Sequence, residues 1–138
     1  MKINKRYTVS DYIIDFLKKK QIEHIFTVSG GGSIFMCDAL YRSNLKYICN
    51  HHEQASIFAA ESYARANNTT GCALVTTGPG GTNALTGIAS AWIDSVPLLI
   101  FSGQVFLNQT IKNLNVRQRG VQEIDIVSLS KPITKYAK

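Results

Sequence analysis

Apolar and polar positions alternate along this chain with two different periods. Val9, Tyr12, Ile13, Phe16 and Leu17 recur at helical spacing, and Thr8 with Asp11 three residues on forms a capping pair in front of them. The run Lys18, Lys19, Lys20 puts positive charge where such a helix ends. Glu23 to Val28 reads as a short strand, and the turn SGGG (29–32) leads into a second helix from Ser33 to Arg42. A brief strand follows around Tyr47 to Cys49, and Glu53 opens a long alanine-rich helix that stops at Asn67-Asn68. CALVTT (72–77) is the continuous apolar run of a buried strand. GPGG then turns into another helix through Ser95, and Pro97 introduces the strand PLLIFSG. Phe106 to Gly120 is polar and irregular and reads as a loop, while Met36, Phe35 and Phe58 are assigned to the core.

Strands separated by helices of this length predict an α/β fold: a parallel sheet with helices on both faces. Ligands of such sheets gather outside the carboxyl ends of the strands. Three unusual stretches fall there: SGGG (29–32), HHE (51–53) and TTGPGGTN (76–83). Common nucleotide motifs are absent. No Gly-Lys dipeptide exists for a P-loop, and Phe35 and Asn83 stand where two GxGxxG fingerprints need a third glycine. SGGG is open to two readings, a tight turn with positive φ or a close approach to a ligand. GPGGTN favours a ligand, because Pro79 between glycines, with Thr82 and Asn83 starting a helix, offers exposed backbone N–H groups.

Length and composition narrow the classes. The 138 residues allow one domain, and 45% hydrophobic with 17% charged residues excludes a disordered chain. The net charge of +6 raises nucleic acid as a partner, but the basic residues collect toward the two ends, and only Arg65 lies between Glu53 and Val105. No basic run is interleaved with aromatics, so nucleic acid is set aside. Cys37, Cys49 and Cys72 form neither a zinc pattern nor a disulfide framework. With no signal core and no apolar span, the expectation is a cytoplasmic protein without a membrane partner.

Taken together, FTVSGGGSIFMCDAL (26–40), HEQASIFAAESYARA (52–66) and VTTGPGGTNALTGIASAWIDSVPLLIFSGQV (75–105) resemble the acetolactate synthase branch of thiamine-diphosphate enzymes. A weaker match continues through VQEIDIVSLSKPITKYAK (121–138). The resemblance implies that residues 1–138 are an N-terminal pyrimidine-binding domain, incomplete at its C-terminus. It implies a site shared between subunits of a homodimer or tetramer. Mg²⁺ and the diphosphate would be held by a pyrophosphate domain, and any FAD by a central domain, both absent here. By the same resemblance Glu53 lies against N1′ of the aminopyrimidine. Thr76, Pro79 and Asn83 match positions lining that ring, Gln122 matches a glutamine that reaches toward the substrate, and Gly30 and Gly31 belong to the turn beside the cofactor. The implied reaction is that of a 2-keto acid lyase or carboligase with pyruvate as donor.

A carboxyl group at position 53 makes chemical sense in that setting. The cofactor's 4′-amino group is a poor base until N1′ is protonated or strongly hydrogen-bonded, and a glutamate in apolar surroundings, its pKa raised, is a suitable partner. Outside these motifs Glu53 would be read as an acid favoured by a helix dipole. His52 is read as a packed or hydrogen-bonding neighbour, and His51 and His24 are given no role. Thr27-Val28-Ser29-Gly30-Gly31 departs from the family's Gly-Tyr-Pro-Gly-Gly turn, and Val121 stands where the synthases carry phenylalanine. A smaller Val121 leaves room for a bulkier acceptor, and Arg117 or Arg119 could meet an anionic group. Two other classes compete: a non-catalytic interaction or regulatory module and a decarboxylase using the same cofactor. A different doubly wound domain binding a phosphorylated ligand is disfavoured by the failed nucleotide motifs.

Overall fold

The computed structural model describes residues 6–111 and 114–138. Four helices and four strands alternate: α1 (Val9–Lys19), β1 (His24–Thr27), α2 (Ile34–Tyr41), β2 (Lys46–Cys49), α3 (Glu53–Asn67), β3 (Gly71–Val75), α4 (Pro79–Ile93) and β4 (Leu98–Ser102). A short helix, α5 (Ile126–Ser130), follows the irregular segment after β4. The strands form one sheet in the order β2-β1-β3-β4, and every pairing is parallel. The expected α/β architecture is therefore observed.

Alternation along the strands splits the core in two. Ile25, Cys72 and Leu74, with Leu99 and Phe101 beside them, meet Ile14 and Leu17 of α1 and Ala39 and Leu40 of α2. Phe26, Ala73 and Val75, with Leu98 and Ile100, meet Ile57 and Ala60 of α3 and Ala84 and Ile88 of α4. Successive side chains point to opposite faces, so each strand feeds both layers. The three cysteines are free thiols, and burial pushes that of Cys72 up to about 12.

Helix α1 starts as expected and packs differently. The Thr8 hydroxyl accepts the Asp11 N–H at 3.2 Å, and the Asp11 carboxylate accepts the Thr8 N–H at 2.9 Å, completing a capping box. Ile14 and Leu17 are buried and Ile13 packs beside them, whereas Val9 is 77% exposed and Tyr12 and Phe16 face outward. Phe35 and Phe58 are likewise exposed rather than core, and only Met36 packs against the buried cluster. Both results have one cause: a helix with two apolar stripes turns only one of them to the sheet.

The Thr8 hydroxyl, then its backbone N–H, then Arg42 at 2.9 Å hold the Asp11 carboxyl down at about 2, against an ordinary 3.8. A depressed carboxyl stabilises the fold fully above its unfolded value and loses that contribution as pH falls through its folded value. Thr8→Ala is expected to cost ~1 kcal/mol in urea unfolding at neutral pH. The difference between variant and parent should shrink as pH drops from about 4 toward about 2; a gap that stays constant across this window would detach the cap from Asp11.

Candidate functional site

The strand order places the topological switch between β1 and β3, because the chain leaves β1 for β2 on one side and returns to β3 on the other. Turns leaving adjacent strands in opposite directions open a crevice there. The turn after β1 meets the turn after β3 across it. The Gly32 N–H donates to the Thr76 hydroxyl at 3.1 Å, and a methyl group at position 30 would lie 2.5 Å from the Thr76 side chain.

This contact corrects one expectation. Gly30 is extended, with φ −171°, and among the described residues Gly78 is the only glycine with positive φ, at 61°. Glycine is needed at 30 for close approach to Thr76, not for a left-handed turn. Gly31 differs, since no atom lies within 4 Å of where its β-carbon would stand. It is exposed, whereas Gly30 and Gly32 are half-buried.

The turn after β3 also differs from expectation. Helix α4 begins at Pro79, so Thr82 and Asn83 lie within it rather than at its start. The Gly80 N–H donates to the Thr77 carbonyl at 3.2 Å and the Thr82 N–H to the Gly78 carbonyl at 3.0 Å. These donors close the first turn and are not presented outward. What this start exposes is the ring of Pro79 and the amide of Asn83.

That amide completes the central arrangement. Asn83 Nδ2 donates to Glu53 Oε2 at 2.9 Å, joining the first turn of α3 to α4 across 30 residues of chain. Glu53 opens α3, its side chain is half-buried, and His52 caps the helix by accepting the Gln54 N–H through Nδ1 at 3.1 Å. His52 is thus the hydrogen-bonding neighbour it was expected to be. A β-carbon at Gly80 would come 2.7 Å from the Thr76 methyl and 3.5 Å from Glu53 Oε1, so the absence of a side chain at 80 lets Thr76 and the second carboxylate oxygen pack close to the start of α4. Among the described residues no hydrogen bond reaches that oxygen. The pair amounts to an anchored carboxylate with one oxygen held and one available.

The packing beneath this pair explains its geometry. Helices α3 and α4 lie side by side, and a methyl group at Gly87 would stand 2.6 Å from Ile57 Cβ. Farther along, the Glu61 carboxylate is buried, accepts from Arg65 at 2.6 Å, and receives the Ser90 hydroxyl of α4 at 3.4 Å. The same Arg65 guanidinium reaches Asp94 just past the end of α4. Tight apolar contact in the middle and a polar clasp at the far end leave the Glu53 end little freedom to drift.

Gln122 is brought to the edge by its backbone. It adopts φ 53° and its carbonyl oxygen packs directly on the Gly78 α-carbon, leaving no room for any side chain at 78. Its own side chain is exposed, as is Val121 at 79%. Two cavities, of about 200 and 360 Å³, lie between α1 and α2 and at the amino ends of β3 and β4, and neither is lined by Glu53. At the convergent edge Pro79, Asn83 and Gln122 are exposed, forming an open shelf. Among the described residues no three His, Cys, Asp or Glu side chains gather as a metal site, and no helix is long and apolar enough to cross a membrane.

Sequence patterns missed two contributors: Gly80, which lets the Thr76 methyl and Glu53 pack close, and Glu123, which holds the segment before Gln122. Thr76 was expected at the ring, but its role as a tether between two turns was not foreseen. The spacing of GPGG could have suggested Gly80; nothing in the pattern marks Glu123.

Comparison with known proteins gives the family. The family model for the thiamine pyrophosphate enzyme, N-terminal TPP binding domain, matches residues 7–129. The acetolactate synthase large subunit of Lactococcus lactis is 39% identical over 137 residues, covering 99% of this chain and 23% of its own. That of Haemophilus influenzae is 36% identical over 134 residues, 96% of this chain and 22% of its own. The mitochondrial acetolactate synthase of Schizosaccharomyces pombe is 39% identical over 123 residues, 88% of this chain and 18% of its own. The chain thus spans less than a quarter of the length of these relatives. With a family match across most of its residues, and with that match covering the shelf built around Glu53, the chain belongs to the thiamine pyrophosphate enzymes as an N-terminal TPP-binding domain.

Proposed function

We propose that this chain holds the aminopyrimidine of thiamine diphosphate in a 2-keto acid lyase or carboligase of the acetolactate synthase kind, with Glu53 opposite N1′. The observation that carries this reading is the Glu53–Asn83 pair, one carboxylate oxygen fixed at 2.9 Å and the other, near Gly80, left without a hydrogen bond among the described residues. Bound there, thiamine diphosphate would supply an acidic thiazolium carbon and, through engagement of N1′, a 4′-amino base. Glu53 provides that engagement, and Asn83 keeps the carboxylate aimed. Pro79 and Thr76 wall the ring from the β3 side, and Gly31, open on its outer face, lets the backbone approach it. Gln122, held against Gly78, reaches toward the substrate, for which pyruvate is the proposed donor.

The remaining parts lie outside residues 1–138. A pyrophosphate-binding domain, contributed across a dimer or tetramer interface, holds the diphosphate through Mg²⁺, and a central domain would carry any FAD. The open shelf supports such sharing, because half of the ring's surroundings must come from elsewhere. The assay is pyruvate consumption by the complete enzyme with thiamine diphosphate and Mg²⁺. Turnover that needs both supports the proposal; a complete protein that binds no thiamine diphosphate overturns it in favour of a non-catalytic module.

Acceptor choice rests on Val121. It is smaller than the phenylalanine of the synthases and stands exposed beside Gln122. Val121→Phe is expected to shift the acceptor preference toward small 2-keto acids by about 10-fold, the scale of a few methylene-sized contacts. An unchanged acceptor profile would remove Val121 from specificity.

A further inference from the structure

The geometry points to Glu123 as a positioning residue for the substrate side of the site, its carboxylate closing the loop that delivers Gln122. Resting on the function proposed above, the assignment concerns how Gln122 is held rather than what it touches.

Glu123 Oε1 accepts the Ile111 N–H at 2.7 Å and Oε2 accepts the Gly120 N–H at 3.2 Å. The two oxygens therefore tie Ile111 to Gly120, and residues 114–119 between them lie in neither strand nor helix. Surface loops with closed ends are held by their own side chains, and a carboxylate receiving backbone donors is a strong form of that closure. The Glu123 N–H in turn donates to the Gly120 carbonyl at 3.2 Å, tightening the turn that contains Val121 and Gln122.

The electrostatics agree with the geometry. Burial pushes the Glu123 carboxyl up, but the N–H groups of Ile111, Gly120 and Arg119, together with the Arg119 charge, outweigh it and hold the carboxyl below its ordinary value. The side chain is thus an anion engaged with backbone, which leaves Gln122 as the polar group of the pair turned outward.

The closed loop is also tied to the sheet. Gly120 is buried against Val105, where a methyl group would come 2.7 Å from that side chain. Gln104 receives the Thr77 hydroxyl at 3.3 Å and donates to the Ile124 carbonyl at 3.1 Å, so the residues on both sides of Glu123 are anchored near the end of β4. Between these anchors Gln122 is held in a left-handed conformation that costs energy for a side-chain-bearing residue, with its carbonyl on Gly78. Only a well-determined surrounding keeps such a residue in place, and Glu123 is the neighbour that provides it.

The test uses the complete enzyme and Glu123→Gln, which keeps the shape but replaces one acceptor oxygen with a donor. Amide hydrogen exchange is followed in peptides containing Ile111, Gly120 and, as a folding control, β3. Exchange at Ile111 and Gly120 is expected to accelerate about 10-fold or more with β3 unchanged, since bonds to a charged acceptor are lost. KM for the 2-keto acid should rise about 3-fold or more while thiamine diphosphate affinity is retained. Unchanged exchange at both amides, or faster exchange with an unchanged KM, overturns the assignment. If β3 loses protection in Glu123→Gln, Glu123→Asp carries the same measurements, because it keeps the charge but is too short to hold both amides. Absence of 2-keto acid turnover in the parent enzyme would refute the proposed function instead, and amide exchange would still decide whether Glu123 closes the loop.

Discussion

Glu53→Gln in the complete enzyme is expected to lower turnover by about 10²–10⁴-fold while leaving thiamine diphosphate bound. Glutamine has nearly the shape of glutamate, and its amide oxygen can still accept from Asn83 Nδ2, so the local packing survives. It cannot carry or yield a proton at the oxygen that looks toward Gly80. A loss on this scale corresponds to about 3–5 kcal/mol of barrier, well beyond the ~0.3–1 kcal/mol that an acid contributes at a helix N-terminus through the dipole alone. The size of the effect therefore separates the catalytic reading from the structural one. Turnover within a factor of about two of the parent would leave Glu53 with only the helix-terminal role.

Gly87→Val should instead damage the scaffold under the site, by about 3 kcal/mol in unfolding experiments. A residue with a side chain is worth up to ~1 kcal/mol over glycine in a helix interior, and less when β-branched, so propensity alone favours the change. Packing opposes it. Ile57 is fully buried, and its Cβ and Cγ2 both stand 2.6 Å from the position a new β-carbon would take. Neither atom is the far end of a flexible chain, so relief requires moving α3 away from α4. The same motion stretches the Glu53–Asn83 bond four residues from Gly87 on α4, and cofactor affinity should fall with stability. A variant as stable as its parent would show that the helices are not pinned at this point.

How much of this was readable beforehand follows from the range of each interaction. Hydrophobic period and glycine turns set the order of the elements, and the boundaries of α3 were read to within a residue because Glu53 and Asn68 sit at a start and a left-handed stop. Helix α1 was legible in period but not in phase. Val9, Tyr12 and Phe16 make as good an apolar stripe as Ile13, Ile14 and Leu17, and only contact with the sheet chooses between them. Phe35 and Phe58 failed for a similar reason, since an aromatic residue carries no mark of which helix face is covered.

The site was legible where motifs end strands. Glu53 and Asn83, far apart in sequence, could be placed together because both follow carboxyl ends of strands in one parallel sheet, β2 and β3, on either side of β1. The SGGG turn was located correctly, but not for a positive φ. Gly30 accommodates Thr76 and Gly32 accommodates Thr77, contacts between two turns that no local signal encodes. Glu123 was invisible for the same reason, as a carboxylate satisfied by backbone amides has no characteristic spacing.

The central claim, that Glu53 activates thiamine diphosphate through N1′, is tested most directly by exchange of the cofactor's thiazolium C2 proton with deuterium. The measurement compares the complete parent enzyme and Glu53→Gln, each saturated with thiamine diphosphate and Mg²⁺ and without substrate. Exchange is expected to slow by about 10²-fold or more in Glu53→Gln with the cofactor still bound. Equal exchange rates in the two proteins would contradict it.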